Sequence, residues 1–254
     1  SACLYKLEKI TDNKAKSTFQ KQIIKLVEPK FSELGWKVNN KDNSRNKELR
    51  GVLIRLLGLI GNDKEVIKIS KEIHKSFILK ENSYDPNILA AITSIVAANG
   101  QKSDYKIFFD CYLNAENPQI ERRYLNSLSL FPGQEEISLT LEKTINGDIR
   151  TQDSPYILAG CLRNQNNGWM AWNFIKNNWS IINEKFPSNS IVRMISPVST
   201  LDEEDQANDI ENFFSENDVP QGEKTLNQTL EKLKVNVEFK KRESINFTEL
   251  IQEL

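Results

Sequence analysis

Apolar residues recur every three or four positions along almost the whole chain, which is the spacing of an amphipathic α-helix. The first clear stripe ends at Gly35 and consists of Phe19, Ile23, Leu26, Val27, Phe31 and Leu34. Similar stripes follow at 49–60, 85–99, 103–115, 117–130, 134–146, 155–162, 169–177, 179–186, 191–195, 202–214 and 226–239. No segment shows the strict alternation of a half-buried strand, so the pattern predicts an all-α fold.

Three of the predicted helices start with the same chemistry, a capping residue followed by proline. The pairs are Asp85-Pro86, Asn117-Pro118 and Ser154-Pro155, and they lie 32 and 37 residues apart. Proline suits the first helical position because its missing N–H would have no partner there. A second helix fits between each pair of starts. The repeat therefore predicts an irregular α-solenoid of stacked hairpins, similar to HEAT and armadillo repeats.

No long linker interrupts this pattern. We therefore predict a single helical domain over residues 1–254, in which residues 244–254 form a separate short terminal helix. The chain begins abruptly, and we expect the helix around residues 10–31 to expose an apolar face larger than monomers usually show.

Composition narrows the function classes. Only ten Gly and eight Pro occur in 254 residues, which favours helices over a turn-rich β fold, and the net charge of −1 argues against a general nucleic-acid binder. No apolar run approaches the length of a transmembrane helix, so no membrane contact is predicted. Three scattered cysteines fit reduced thiols, and they predict a cytoplasmic protein: Cys3, Cys111 and Cys161.

The residues that metal and acid–base chemistry need are scarce. His74 is the one histidine, so the zinc-protease motif H-E-x-x-H is excluded within this sequence. The cysteines lack the spacing of a structural zinc site, and no glycine-rich phosphate loop occurs. Adjacent acids such as Glu135 and Glu136 point in different directions on a helix. We predict no catalytic residue, no metal site and no cofactor in this sequence.

Charge and aromatic residues are unevenly spread. Residues 1–50 hold twelve Lys and Arg against six Asp and Glu, and residues 202–218 hold eight acidic residues. We expect solvated helix faces in both places, although the acidic stretch could also attract basic partners or peptide N-termini. The aromatic residues Trp169, Trp172, Phe174 and Trp179 could form a ligand cage, but helical spacing favours a place in the core.

The segment from Gly168 to Trp179, GWMAWNFIKNNW, is followed by Phe186-Pro187. It resembles a stretch in the C-terminal helical domain of the aminopeptidase N family of zinc aminopeptidases, including the endoplasmic-reticulum aminopeptidases. Further stretches match this domain in the same order, and together they span about residues 20–243: 26–36, 48–63, 99–112, 122–128, 150–156 and 213–236. The turn Arg150-Thr-Gln-Asp153 is similar to the puromycin-sensitive branch.

The resemblance implies a role without chemistry of its own. In the family this domain closes like a bowl against the upstream catalytic domain, which holds the zinc and trims peptides from their N-terminus. The expected partners are therefore the chain's own upstream catalytic domain and peptide substrates, with zinc in that domain. The alternative is a stand-alone α-solenoid scaffold that binds a protein or peptide on its concave face.

The turn at Arg150 and Gln152 is the candidate substrate-binding site. If these side chains face the chamber, the guanidinium can hold a peptide carboxylate or backbone carbonyls. The alternative is a purely structural turn, in which Asp153 or Ser154 caps the helix that begins at Pro155 and Arg150 pairs locally.

Overall fold

The computed structural model describes residues 2–39, 42–219 and 222–253, and within these ranges the chain is all-α without a β-strand. The α-helices are α1 (Ala2–Ile10), α2 (Lys16–Leu34), α3 (Ser44–Arg55), α4 (Lys64–Ile78), α5 (Pro86–Ala98), α6 (Lys102–Leu113), α7 (Pro118–Ser127), α8 (Gln134–Asn146), α9 (Ser154–Leu162), α10 (Gly168–Asn177), α11 (Trp179–Lys185), α12 (Ser188–Ile195), α13 (Glu204–Glu216) and α14 (Glu223–Gln252). A π-helical turn (Leu56–Ile60) continues α3, and 3-10 turns follow α7 (Leu128–Leu130) and α12 (Ser196–Thr200). None of these helices has the length and apolar character that crossing a membrane requires.

Two helices differ from the sequence prediction. The segment Ala2–Ile10 is helical, although the first predicted helix began only around residue 10. The separate short helix predicted at 244–254 is wrong, because Glu223–Gln252 is one continuous helix. No glycine or proline lies between residues 239 and 246. The stretch therefore lacks the two residues that most strongly disfavour a helix interior.

Two of the three proline starts have the predicted cap. The Asp85 carboxylate accepts a hydrogen bond from the Asn87 amide at 2.9 Å, and Asn117 accepts from the amides of Gln119 and Ile120 at 3.1 and 3.0 Å. At the third start, α9 begins at Ser154 and no side chain caps it.

The chain divides into two compact units, Ser1–Asn99 with Glu243–Leu254, and Gly100–Arg242. Helix α14 contributes residues to both. That residues 1–254 act as one domain stays a prediction.

In the first unit, the apolar stripe of α2 is covered. Phe19, Ile23 and Val27 are buried, and the Phe247 ring of α14 packs edge-on against Phe19 at 6.0 Å. The π-helical turn and α3 also lie against α2. The predicted exposed apolar face over residues 10–31 is therefore wrong, apart from Leu26, which is 68% exposed.

A buried arginine closes the loop between α2 and α3. The Arg50 side chain is fully buried and donates to the carbonyls of Leu34 and Gly35, at the end of α2, and to the Asp42 carboxylate at 2.7 Å. The Asn39 amide also donates to Asp42 at 2.9 Å. These hydrogen bonds lower the pKa of Asp42 despite its desolvation. The arginine thus satisfies carbonyls that a helix end leaves without a partner.

In the second unit, polar side chains link segments that are about one predicted repeat apart. These hydrogen bonds join residues 33 to 40 positions apart in sequence, and they include Tyr105–Thr140, Asn164–Ser129, Asn167–Pro132, Trp172–Asp209, Lys185–Ile145 and Asn236–Ser199. Helix α9 of this unit packs against both α7 and α12. This spacing is consistent with stacked hairpins of the predicted length, and the solenoid itself stays a prediction.

The Arg50 network yields a stability prediction. We expect Arg50→Ala to lower the melting temperature by roughly 6 °C or more, because it removes the charged partner of the largely buried Asp42 carboxylate and the side-chain donor of two helix-end carbonyls. Arg55→Ala, at an exposed position of the same helix, is the control and should shift it by only a degree or two. Equal shifts in a thermal melt followed by circular dichroism would contradict this role.

Candidate functional site

The candidate turn lies between α8 and α9. Helix α8 ends at Gly147, which has a left-handed φ of 101°, and Ile149 is fully buried beneath the turn. The Arg150 carbonyl accepts hydrogen bonds from the amides of Asp153 and Ser154 at 2.9 and 3.0 Å. The backbone of the turn is thus held from inside, and its side chains project outward.

The Arg150 guanidinium is held by two carboxylates. Its Nη2 atom lies 2.7 Å from Glu121 Oε1 on α7, and its Nε atom lies 2.9 Å from Asp153 Oδ2. Both acids raise the pKa of Arg150, Asp153 more than Glu121. The side chain nevertheless remains 55% exposed, so part of its surface is open to solvent.

These contacts test the alternative that the turn is purely structural. Local pairing of Arg150 is confirmed. Capping of α9 by Asp153 or Ser154 is wrong, because the Asp153 carboxylate faces Arg150 and the Ser154 hydroxyl donates to the Arg150 carbonyl at 3.1 Å. These side chains therefore stabilise the turn and do not cap the start of α9.

Two further residues lie near the turn. Gln152 is exposed, and Tyr156, four residues later, is 49% exposed on α9. The Arg193 guanidinium on α12 lies 3.4 Å from the Tyr156 hydroxyl. Sequence reasoning did not select Tyr156, Arg193 or Glu121. The spacing from Gln152 to Tyr156 could have indicated the tyrosine, but the other two come from helices 29 and 43 residues away from Arg150.

The aromatic cluster lies in the core at Trp172, whereas Trp169, Phe174 and Trp179 are only partly buried. Trp172 is fully buried against Phe213 and Phe214, with ring centroids 5.3 and 5.5 Å apart, as expected.

One carboxylate joins this cluster to a charged side chain. Asp209 accepts from the Trp172 indole N–H at 2.7 Å and from Lys176 at 2.7 Å. Partial burial alone would raise the pKa of Asp209, but these two donors outweigh it and lower the pKa.

The acidic stretch is paired inside the second unit. Five of its eight carboxylates lie in ion pairs: Asp202 and Glu203 with Lys240, Glu204 with Lys241, Asp209 with Lys176, and Glu211 with Lys234. Three of these lysines are on α14, so the stretch mainly fastens that helix to α13 and the residues before it. Across the described ranges, no three His, Cys, Asp or Glu side chains are grouped to hold a metal ion.

Comparison with known proteins gives the family. Residues 1–235 match the sequence model of a family described as the ERAP1-like C-terminal domain. This chain belongs to that family. The match extends over nearly the whole chain and agrees with the resemblance seen at residues 168–179.

The relatives of this ERAP1-like C-terminal domain are much longer proteins. Aminopeptidase M1 of Arabidopsis thaliana is 27% identical over 236 residues, which are 87% of this chain and 26% of that protein. Aminopeptidase M1-B of Oryza sativa subsp. japonica is 24% identical over 91% of this chain and 27% of its own length. The thyrotropin-releasing hormone-degrading ectoenzyme of Rattus norvegicus is 23% identical over 95% and 24%, respectively. The chain thus spans about a quarter of the relatives it matches.

Asp209 gives a pH-dependent prediction for this domain. A carboxylate with a lowered folded-state pKa stabilises the fold above its unfolded pKa of about 4, and this contribution is lost as the pH falls through the folded value. We expect Asp209→Asn to be less stable than wild type at neutral pH and the difference to shrink below about pH 4. Urea unfolding followed by tryptophan fluorescence measures it. Asp218→Asn, at an exposed position after the end of α13, is the control variant. A difference that stays constant with pH would exclude the ionised carboxylate as its cause.

Proposed function

We propose that this chain is the non-catalytic C-terminal domain of a zinc aminopeptidase. It closes the substrate chamber against the upstream catalytic domain, binds peptide beyond the scissile bond and controls access to the chamber. The upstream domain removes the N-terminal residues. The observation that carries the proposal is the family match over residues 1–235, together with aminopeptidase relatives that this chain matches over about a quarter of their length.

In such an enzyme a zinc ion in the upstream domain would supply the Lewis acidity that hydrolysis of the peptide bond needs. The part assigned to this chain is to bind, orient and enclose the peptide. We place the enzyme in the cytoplasm. The three cysteines of this chain are free thiols, which fits a reducing compartment.

We assign peptide contacts to the turn at Arg150 and Gln152. Glu121 and Asp153 fix the direction of the guanidinium. This reduces the side-chain conformational entropy that is lost on binding. A peptide carboxylate or carbonyl can approach its exposed side or replace Glu121. Gln152 and Tyr156 add exposed hydrogen-bonding groups beside it.

The isolated chain should have no activity of its own. We expect it to bind no stoichiometric zinc and to hydrolyse no aminoacyl-anilide. The intact enzyme should bind zinc and hydrolyse the anilide. Metal analysis and a chromogenic assay, run on the two proteins side by side, measure this. One tightly held zinc per isolated chain together with turnover would overturn the proposal. A complete reading frame without an upstream zinc motif would favour the scaffold alternative.

The Arg150 assignment is tested in the intact enzyme. We expect Arg150→Ala to raise KM for long peptides and to leave kcat for an aminoacyl-anilide nearly unchanged, as loss of remote binding predicts. Arg122→Ala is the control, because it removes an exposed arginine from the neighbouring helix α7.

A structural turn gives a different result. In that case Arg150→Ala and Glu121→Gln would lower the melting temperature by several degrees while long-peptide kinetics stay as in wild type.

A further inference from the structure

We propose that the exposed side of α9, together with the neighbouring side of α12, is a binding surface for acidic peptides, whose Asp and Glu side chains pair with Arg163 and Arg193. The inference rests on the proposed function for one point only, the identity of the bound peptide as a substrate of the enzyme. Binding itself is a property of the second unit and is measured on this chain without a catalytic domain.

Arginine and lysine are separated within the second unit. Residues 100–200 contain five of each. The lysines all lie on α6, α8, α10 and α11: Lys102, Lys106, Lys143, Lys176 and Lys185. The arginines all lie on α7, in the turn before α9, directly after α9 or on α12: Arg122, Arg123, Arg150, Arg163 and Arg193. Either side chain keeps a helix face solvated, but only a guanidinium presents the planar fork that binds a carboxylate through two hydrogen bonds. The separation therefore indicates a task that lysine would not perform.

Helix α9 exposes a single line of residues. Seven of its nine residues are buried, and Tyr156 and Gly160 are the other two. Arg163 follows the helix with helical backbone angles, and it is exposed. Residues three and four positions apart share one face of a helix, so Arg163 continues the line. Gly160 has no side chain, so no side chain of α9 lies between Tyr156 and Arg163 on this line.

The line is continuous with the elements on either side of it. The exposed Arg193 of α12 donates to the Tyr156 hydroxyl at 3.4 Å. At the start of α9, the Tyr156 amide donates to the carbonyl of Asp153, whose carboxylate holds Arg150. The surface thus extends from the turn assigned above, along α9, to Arg163 and Arg193.

This surface has positive charge without a counterion of its own. Arg163 donates to the Ala159 carbonyl at 3.1 Å, and among the residues that the structure describes neither Arg163 nor Arg193 forms an ion pair. Desolvation lowers the pKa of Arg163, since no carboxylate offsets it. Glu184 of α11 is the one acidic residue between 154 and 200, so α9 and α12 carry none. Charge complementarity therefore favours an acidic partner.

A peptide fits this surface better than a nucleic acid does. The net charge of the chain is −1, so its overall field does not attract a long polyanion. The exposed Asn189 lies four residues before Arg193 on α12 and so shares its face, where its amide can bind a peptide backbone.

The spacing of the two arginines gives the pattern of the peptide. Arg193 is bound at Tyr156, and Arg163 lies seven residues later, which is about 10 Å along a helix. An extended peptide covers this distance in about three residues. We therefore expect peptides with acidic side chains about three residues apart to bind best.

Fluorescence anisotropy on the isolated chain tests this specificity. The probe is a labelled peptide with glutamate at every third position between glycine and serine, amidated at its C-terminus so that only side chains are anionic. We expect it to bind at least about tenfold more tightly than the same peptide with glutamine in place of glutamate. The difference should shrink at high salt, which screens exposed charges. Equal affinities for the two peptides would overturn the proposal.

Substitutions locate the binding. Arg163→Ala and Arg193→Ala should each weaken binding of the glutamate peptide about fivefold or more. Lys106→Ala is the matched control, because it removes the same charge from an exposed position on α6, and it should change the affinity by less than about twofold. Equal losses in the three variants would show a non-specific charge effect and overturn the surface.

Two further measurements separate this surface from the alternatives. Arg193→Lys keeps the charge and removes the fork, so it should bind the glutamate peptide nearly as weakly as Arg193→Ala does. Wild-type affinity in Arg193→Lys would contradict guanidinium recognition. Tighter binding of a labelled single-stranded RNA than of the glutamate peptide would assign the surface to nucleic acid and overturn the proposal. Neither failure bears on the aminopeptidase proposal, which is tested by zinc binding and by the reading frame upstream.

Discussion

The main constraint on this structure is that most of its helices are too short to persist alone. Apart from α2 and α14, with 19 and 30 residues, the described helices have 15 residues or fewer, and α11 has seven. Isolated helices of about 12–15 residues are marginal in water. Each helix therefore depends on the burial of one apolar face against its neighbours. This dependence explains why apolar residues recur so regularly along the chain.

Short helices also create many helix ends, and each end leaves backbone carbonyls without partners. The chain solves this with side chains from other segments. In the first unit Arg50 binds the carbonyls of Leu34 and Gly35. In the second unit Asn164 binds those of Ser129 and Phe131, both at 2.9 Å. A buried polar residue is thus a packing element here, because it fixes where one helix ends against the next.

The limits of sequence reasoning follow from the same physics. Periodicity and capping locate most helices, because they depend on residues close together in the chain. Asn117 is an example, since its cap partners lie two and three residues away. Arg50 and Glu121 were missed because their partners lie elsewhere in the fold. The helix boundary expected before residue 244 was wrong for another reason. An interruption of the apolar stripe does not by itself end a helix, and α14 continues through it to Gln252.

The shared helix α14 has a consequence for synthesis of the protein. The Asp12 amide and the Thr248 hydroxyl that meet in the first unit are 236 residues apart in sequence. A ribosome adds about 5–20 residues per second, so roughly 12–47 seconds separate the two residues. During that time α2 exists without Phe247 to cover Phe19. The first unit is therefore completed only after residue 248 has been added, so until then the nascent chain exposes this apolar surface to chaperones and to neighbouring chains.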